Sequence, residues 1–118
     1  MARLERKSFD QPDETRPVEN GKVEVVELDG AMVMRTTFEP GWRWSECVKP
    51  TVGGDSCQVH HVGYAISGRM HVVMTSGEEL DIGPGDVLQI PPGHEAWIVG
   101  DEPYVGVDFQ GGATYAKA

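Results

Sequence analysis

The 118-residue chain has the length of one domain, and its 10 basic and 19 acidic residues give a formal net charge of −9. Such a polyanion repels phosphate backbones and anionic lipid surfaces, which excludes nucleic acid and membranes as preferred partners. No apolar run approaches the roughly 20 residues of a membrane span, and the N-terminus lacks the apolar core of a signal peptide, so we expect a cytoplasmic protein.

The first 20 residues are polar, charged and interrupted by Pro12 and Pro17. We expect them to form an N-terminal arm that is irregular or ordered only by packing, for example across a neighbouring subunit. Residues 21–110 would then form the folded domain, and residues 111–118 a C-terminal tail.

Within residues 21–110, short runs of alternating apolar and polar residues are separated by glycine and proline turns, as is typical of strands. The chain contains 15 Gly and 8 Pro, spread at turn-like intervals. We find no amphipathic helix, and residues 48–55 read as a loop. The pattern predicts an all-β sandwich or barrel. The predicted strands are residues 22–28, 31–38, 57–66, 69–75, 79–82, 86–90, 95–99 and 103–109.

One predicted strand carries a thiol and two imidazoles. Because side chains alternate faces along a strand, Asp55, Cys57, Val59 and His61 should share one face. A thiol and an imidazole facing the interior are ligands for zinc or another transition metal, and Asp55 would add a carboxylate. The alternative is that Cys57 is a small core residue, His61 a hydrogen-bonded core histidine and Asp55 a loop cap.

His60 and His94 are further candidate ligands. Because side chains alternate, His60 should face away from His61. It would then hydrogen-bond to a metal ligand or lie on the opposite face of the strand, unless a bulge turns His60 inward. His94 follows a proline-proline-glycine turn that restricts the backbone, which suits a ligand, although a polar turn residue is the alternative. We predict a metal site of Cys57, His61 and His94, with His60 nearby.

Four aromatic residues are candidates for the wall of an apolar substrate pocket around this metal, and plain core or interface is their alternative role. They are Trp42, Trp44, Tyr64 and Trp97. Cys47 and Cys57 are ten residues apart, so a redox-responsive disulfide is a further alternative. We expect the thiols to be free or metal-bound, since cytoplasmic cysteines usually stay reduced.

The chain resembles the cupin superfamily, in particular small single-domain bacterial cupins, over residues 23–109. One cupin motif has a glycine, five residues, Pro-x-Gly, two residues and a histidine, and residues 85–93 fit its start. The histidine of that motif falls on Ala96, two residues after His94.

The other cupin motif ends in a glycine that matches Gly68. In that frame His61 occupies the position of a glutamate, and Cys57 and Asp55 occupy the positions of two histidines. The spacing of the motif positions is retained, whereas the residue types at the ligand positions differ. The resemblance is therefore stronger for the fold than for the metal site.

The resemblance implies a jelly-roll-like antiparallel cupin barrel, often a homodimer, with a divalent metal ion inside one end. The Cys57 and His61 substitutions favour zinc, with iron or manganese as alternatives. Because zinc is redox-inert, we expect Lewis-acid chemistry of the isomerase, lyase or cyclase type on a small carbonyl or carboxylate compound. An iron-dependent dioxygenase and a non-enzymatic small-molecule-binding or sensor barrel are the alternatives.

Overall fold

A computed structural model describes residues 3–110 and 115–117. Within these ranges the chain forms nine strands and two single-turn helices. Their bounds are β1 Glu14–Val18, β2 Gly21–Leu28, β3 Ala31–Phe38, α1 Trp44–Cys47, α2 Lys49–Val52, β4 His61–Ser67, β5 Arg69–Met74, β6 Glu79–Ile82, β7 Val87–Ile90, β8 His94–Val99 and β9 Tyr104–Asp108.

The strands form two antiparallel sheets. The larger has the order β1-β2-β3-β9-β4-β7 and the smaller the order β6-β5-β8. Residues of both sheets belong to one buried core, which includes Val23 and Ala65 of the larger sheet and Val72 and Ile98 of the smaller. In the part of the chain that the structure describes, no strand ladder joins the two sheets. The predicted all-β, jelly-roll-like class is confirmed, as an open sandwich instead of a closed barrel.

Gly68 connects the two sheets through the tight turn between β4 and β5. Its φ is +79°, in the left-handed region that side chains disfavour. A Cβ at this position would collide with the backbone of Pro103 and Tyr104, which passes directly beside it. Glycine is therefore required here both for the conformation and for the close approach of the chain before β9.

Two expectations from the sequence are corrected. Glu14–Val18, assigned to the arm, form strand β1 and pair with β2 of the same chain, so the sheet begins before residue 21. Proline is tolerated there because β1 lies at the sheet edge and Pro17 needs no ladder hydrogen bond. Residues 48–55, expected to be a loop, contain helix α2, whose first turn accommodates Pro50.

Among the described residues, no helix is both long and apolar enough to cross a membrane. The expected cytoplasmic location and homodimer stay predictions. Residues 111–114 and 118 of the predicted tail lie outside the described residues, whereas Tyr115 and Ala116 are buried against the core.

Candidate metal centre

Three potential metal ligands converge where the two sheets meet. His61 begins β4 in the larger sheet, His94 begins β8 in the smaller sheet, and Cys57 lies in the segment before β4. All three are buried, and one ligand atom from each lies within 4.8 Å of the other two. The structure thus brings together three of the four predicted ligands from separate elements.

Backbone hydrogen bonds hold Cys57 beside β8. Cys57 and His94 form an isolated antiparallel bridge, in which the Cys57 N–H donates to the His94 carbonyl at 2.8 Å. The Cys57 carbonyl accepts from the Gly93 N–H at 2.7 Å, and Gly93 has a φ of +95°. The proline-glycine turn therefore fixes the backbone position of His94 and, through these hydrogen bonds, that of Cys57.

Both imidazoles are oriented by a hydrogen bond to Nδ1. His61 Nδ1 donates to Asp108 Oδ2 at 3.2 Å, and His94 Nδ1 donates to the Pro91 carbonyl at 2.7 Å. Because a carbonyl oxygen only accepts, His94 must carry its proton on Nδ1. Metal-binding histidines are oriented in this way by a carboxylate or carbonyl, which leaves Nε2 available.

The electrostatics of the cluster favour a thiolate beside an imidazolium. Burial raises the pKa of the Cys57 thiol, but hydrogen bonds from His61 and His94 outweigh it and lower that pKa to about 6. Burial lowers the pKa of His61, whereas hydrogen bonds to Asp108 and Cys57 raise it to about 9. A thiolate at neutral pH is the form that binds a metal.

The donor set fits a zinc ion. Zinc bonds of about 2.3 Å to sulfur and about 2.0–2.1 Å to nitrogen, at tetrahedral angles, place the two ligand atoms about 3.5 Å apart. Cys57 Sγ and His61 Nε2 are 3.9 Å apart. A shift of a few tenths of an ångström therefore suffices. Three protein ligands leave one coordination position open, which is the arrangement of catalytic zinc sites.

A small cavity of about 30 Å³ adjoins the two imidazoles. That volume accommodates about two water molecules. Trp42, Trp44 and Tyr104 line it, and Phe38 stacks on Trp42 with ring centroids 3.9 Å apart. The indole N–H groups of Trp42 and Trp44 are buried and have no hydrogen-bond partner among the described residues.

Three of the predicted site residues, and Asp55, whose role was left open, lie outside the cluster and the cavity. His60 and Asp55 are exposed and outside the cluster. Tyr64 is 44% exposed because β4 turns alternate residues outward, and it does not line the cavity. Trp97 faces outward from β8, where it packs on His71 with ring centroids 4.9 Å apart. Of the four pocket candidates, the structure brings only the pair at residues 42 and 44 to the cavity.

Sequence reasoning missed Asp108 and Tyr115. Asp108 ends β9 opposite Gly63, so that strand pairing brings its carboxylate to His61. Tyr115 covers the His61 ring edge to face, with centroids 4.9 Å apart. The alternation of β9 places Asp108 on the inner face, which is the one signal that could have identified it. No local pattern marks Tyr115.

Comparison with known proteins finds similarity in structure alone. Neither a family model nor a curated protein matches the sequence. A cupin-like protein from Thermotoga maritima superimposes with a TM-score of 0.54 and 20% identity, over 76% of this chain and 67% of that one. A polyketide cyclase from Streptomyces resistomycificus superimposes with a TM-score of 0.62 and 13% identity, over 92% and 79%.

An oxalate decarboxylase from Lactobacillus farciminis gives a TM-score of 0.62 and 19% identity. The match covers 86% of this chain but 32% of the decarboxylase, so the chain spans about a third of that protein. At these identities the likeness establishes the fold and not an activity. The fold is that of the cupins, as the sequence motifs predict.

Proposed function

We propose that this chain, a small protein with the cupin fold, binds a divalent metal ion through Cys57 Sγ, His61 Nε2 and His94 Nε2. The observation that carries the proposal is that three buried donor atoms face one another while each imidazole is already hydrogen-bonded through Nδ1. Zinc is the favoured ion because the set offers one thiolate and two imidazoles, and a bound metal would displace the proton on His61 Nε2. Iron and manganese are the alternatives.

We propose further that the site acts on a small carbonyl or carboxylate compound. When bound, the metal supplies a Lewis acid with one open coordination position. Asp108 keeps the His61 proton on Nδ1. Burial and nearby carboxylates raise the pKa of the Tyr104 phenol, which therefore stays protonated as an O–H donor in the cavity. The indole N–H groups of Trp42 and Trp44, which have no partner among the described residues, would be further donors for a substrate oxygen.

Lewis-acid chemistry of the isomerase, lyase or cyclase type is the reaction class that this donor set supports best. The polyketide cyclase from Streptomyces resistomycificus has the same fold, and the fold alone does not assign its activity to this chain. Zinc has no accessible redox chemistry, so a dioxygenase reaction would require iron in the same site.

Metal analysis of the purified chain tests the binding step. We expect about one equivalent of zinc after zinc is offered and excess removed, and less than about a tenth in Cys57→Ser and His61→Ala. Cys47→Ser and His71→Ala are matched controls, because they remove the other thiol and an outward-facing imidazole.

The result that refutes the proposal is a wild-type protein with no more metal than Cys57→Ser. A metal-free barrel that binds small molecules would then be the remaining alternative. Cobalt offered in place of zinc adds a second readout, because a cobalt–thiolate bond absorbs in the near ultraviolet and reports directly on Cys57.

A further inference from the structure

Tyr115 separates two pockets at one end of the sandwich. It lines the small cavity beside His61, and it also lines an outer pocket of about 390 Å³. Trp44 is likewise common to both pockets, and Cys57 lies in the wall of the outer one. Among the residues that the structure describes, Tyr115 and Trp44 thus lie between the two pockets, and Cys57 forms part of the outer wall.

The outer pocket has the size and lining of a small-molecule site. Its volume lies within the roughly 300–1,000 Å³ that ligand pockets occupy. Its apolar wall includes Val48, Val52 and Val59, and Ser56 contributes a hydroxyl group.

The described lining of the outer pocket carries one charged side chain, the cation Lys117, although the chain as a whole is acidic. The chain has 19 acidic residues. None of them belongs to the described residues that line this pocket, whereas Lys117 does. Glu14 lies near enough to Lys117 for the two charges to interact, so the pocket attracts an anionic ligand weakly, whereas most of the remaining surface repels it.

Tyr115 is held in place by strand β1. Arg16 Nη1 donates to the Tyr115 carbonyl at 2.7 Å, and Arg16 Nη2 pairs with Glu14 Oε1 at 2.9 Å. Arg16 is 5% exposed and Tyr115 is 4% exposed, so water screens this attachment little. The Tyr115 ring meets the His61 ring at an interplanar angle of 82°.

We propose that the outer pocket binds a small carboxylic acid with an apolar body, and that Tyr115 controls whether the bound acid reaches the thiol and imidazoles. The first half stands on the pocket alone. The second half rests on the proposed metal-binding function. The valines would hold the apolar body, and Lys117 would attract the carboxylate at the pocket rim.

Calorimetric titration of the metal-free full chain tests the first half. The probes are phenylacetate and its uncharged analogue phenylacetamide. We expect phenylacetate to bind more tightly, and Lys117→Met to weaken phenylacetate by about threefold without affecting the amide, since an exposed charge pair contributes this little. Val52→Trp fills the pocket and should weaken both probes by at least about tenfold. Thr51→Trp adds the same ring to the neighbouring exposed position as a control.

Cobalt-loaded protein tests the second half. We expect phenylacetate to change the cobalt–thiolate absorption at about tenfold lower concentration in Tyr115→Ala than in the wild type, because no buried ring has to be displaced. Tyr115→Phe keeps the ring and should behave like the wild type. Thermal denaturation checks that both variants fold.

Each failure has a distinct meaning. Phenylacetate binding that is absent, or unchanged in Val52→Trp, overturns the pocket assignment whether or not metal binds. Equal cobalt responses in Tyr115→Ala and the wild type overturn the role of Tyr115. The absence of any cobalt–thiolate band overturns the proposed function and the control by Tyr115, and leaves the calorimetric result standing.

Discussion

Replacement of Asp108 by Asn should weaken metal binding although the residue is not a ligand. Asn has the same size and keeps an acceptor oxygen, but it lacks the negative charge that fixes the His61 proton on Nδ1. Loss of such an orienting partner typically costs 10–100-fold in metal affinity. The Nδ1···Oδ2 distance of 3.2 Å is long for a charge-assisted bond, so we expect the lower end, about tenfold or 1.4 kcal/mol.

The loss of metal affinity in Asp108→Asn should depend on pH. The pKa of His61 is raised to about 9, in part by Asp108, so below pH 9 the metal must displace a proton from Nε2. Wild-type affinity should therefore rise with pH and level off near 9. Removal of the charge lowers the pKa of His61, which weakens the competition from protons. The variant should reach its plateau at a lower pH, so the deficit is full above pH 9 and smaller at pH 7.

Chelator competition across pH 6 to 10 measures this profile, with thermal denaturation as a folding check. Asp101→Asn is the matched control, because Asp101 is exposed in the loop between β8 and β9 and does not belong to the ligand cluster. Equal affinities for Asp108→Asn and the wild type at pH 9.5 would refute the assigned role. A deficit of the same size at every pH would indicate a packing defect instead.

Three further predictions concern the scaffold. Hydrogen bonding to Asp81 raises the pKa of His71. The protonated His71 therefore stabilises the fold below pH 6.5, and this stabilisation is lost as pH rises through the raised pKa. His71→Gln should lower the melting temperature at pH 6 more than at pH 9. Gly68→Ala should cost more than about 2 kcal/mol in urea unfolding, against about 1 for Gly30→Ala, which shares a positive φ but meets no neighbouring atom. The expected homodimer should give twice the monomer mass in light scattering, and Ile66→Glu, at a 48% exposed position, should dissociate it; a monomeric wild type would refute that expectation.

Turn chemistry and alternation predicted most of the strands because these signals are local. The predicted bounds of β3 and β6 agree with the structure residue for residue. Strand β1 was missed because a buried cation and a proline obscure its pattern. Arg16 is buried to hold the tail, and Pro17 is acceptable only at a sheet edge, and neither reason is visible before the topology is known.

The sequence predicted three residues of the cluster, but the structure brings Cys57 to it in a different way from the one expected. Cys57 and His61 were expected to share a face of one continuous strand, but β4 begins at His61. The thiol reaches the cluster because its backbone bridges to His94. Asp108 and Tyr115 come from sequence-distant segments, and the Arg16–Tyr115 contact joins residues 99 positions apart, which no local pattern can predict.

The two tryptophans that line the cavity indicate that it is suited to a polar occupant. Trp42 and Trp44 are each 2% exposed, and each leaves a buried indole N–H without a partner among the described residues. An unsatisfied buried donor costs about 1–3 kcal/mol, which a phenylalanine in either position would avoid. An oxygen atom from water or a ligand within hydrogen-bond distance of these groups would offset that cost. The two indole donors and the imidazoles of His61 and His94, which line the cavity, therefore favour a polar occupant over an apolar void.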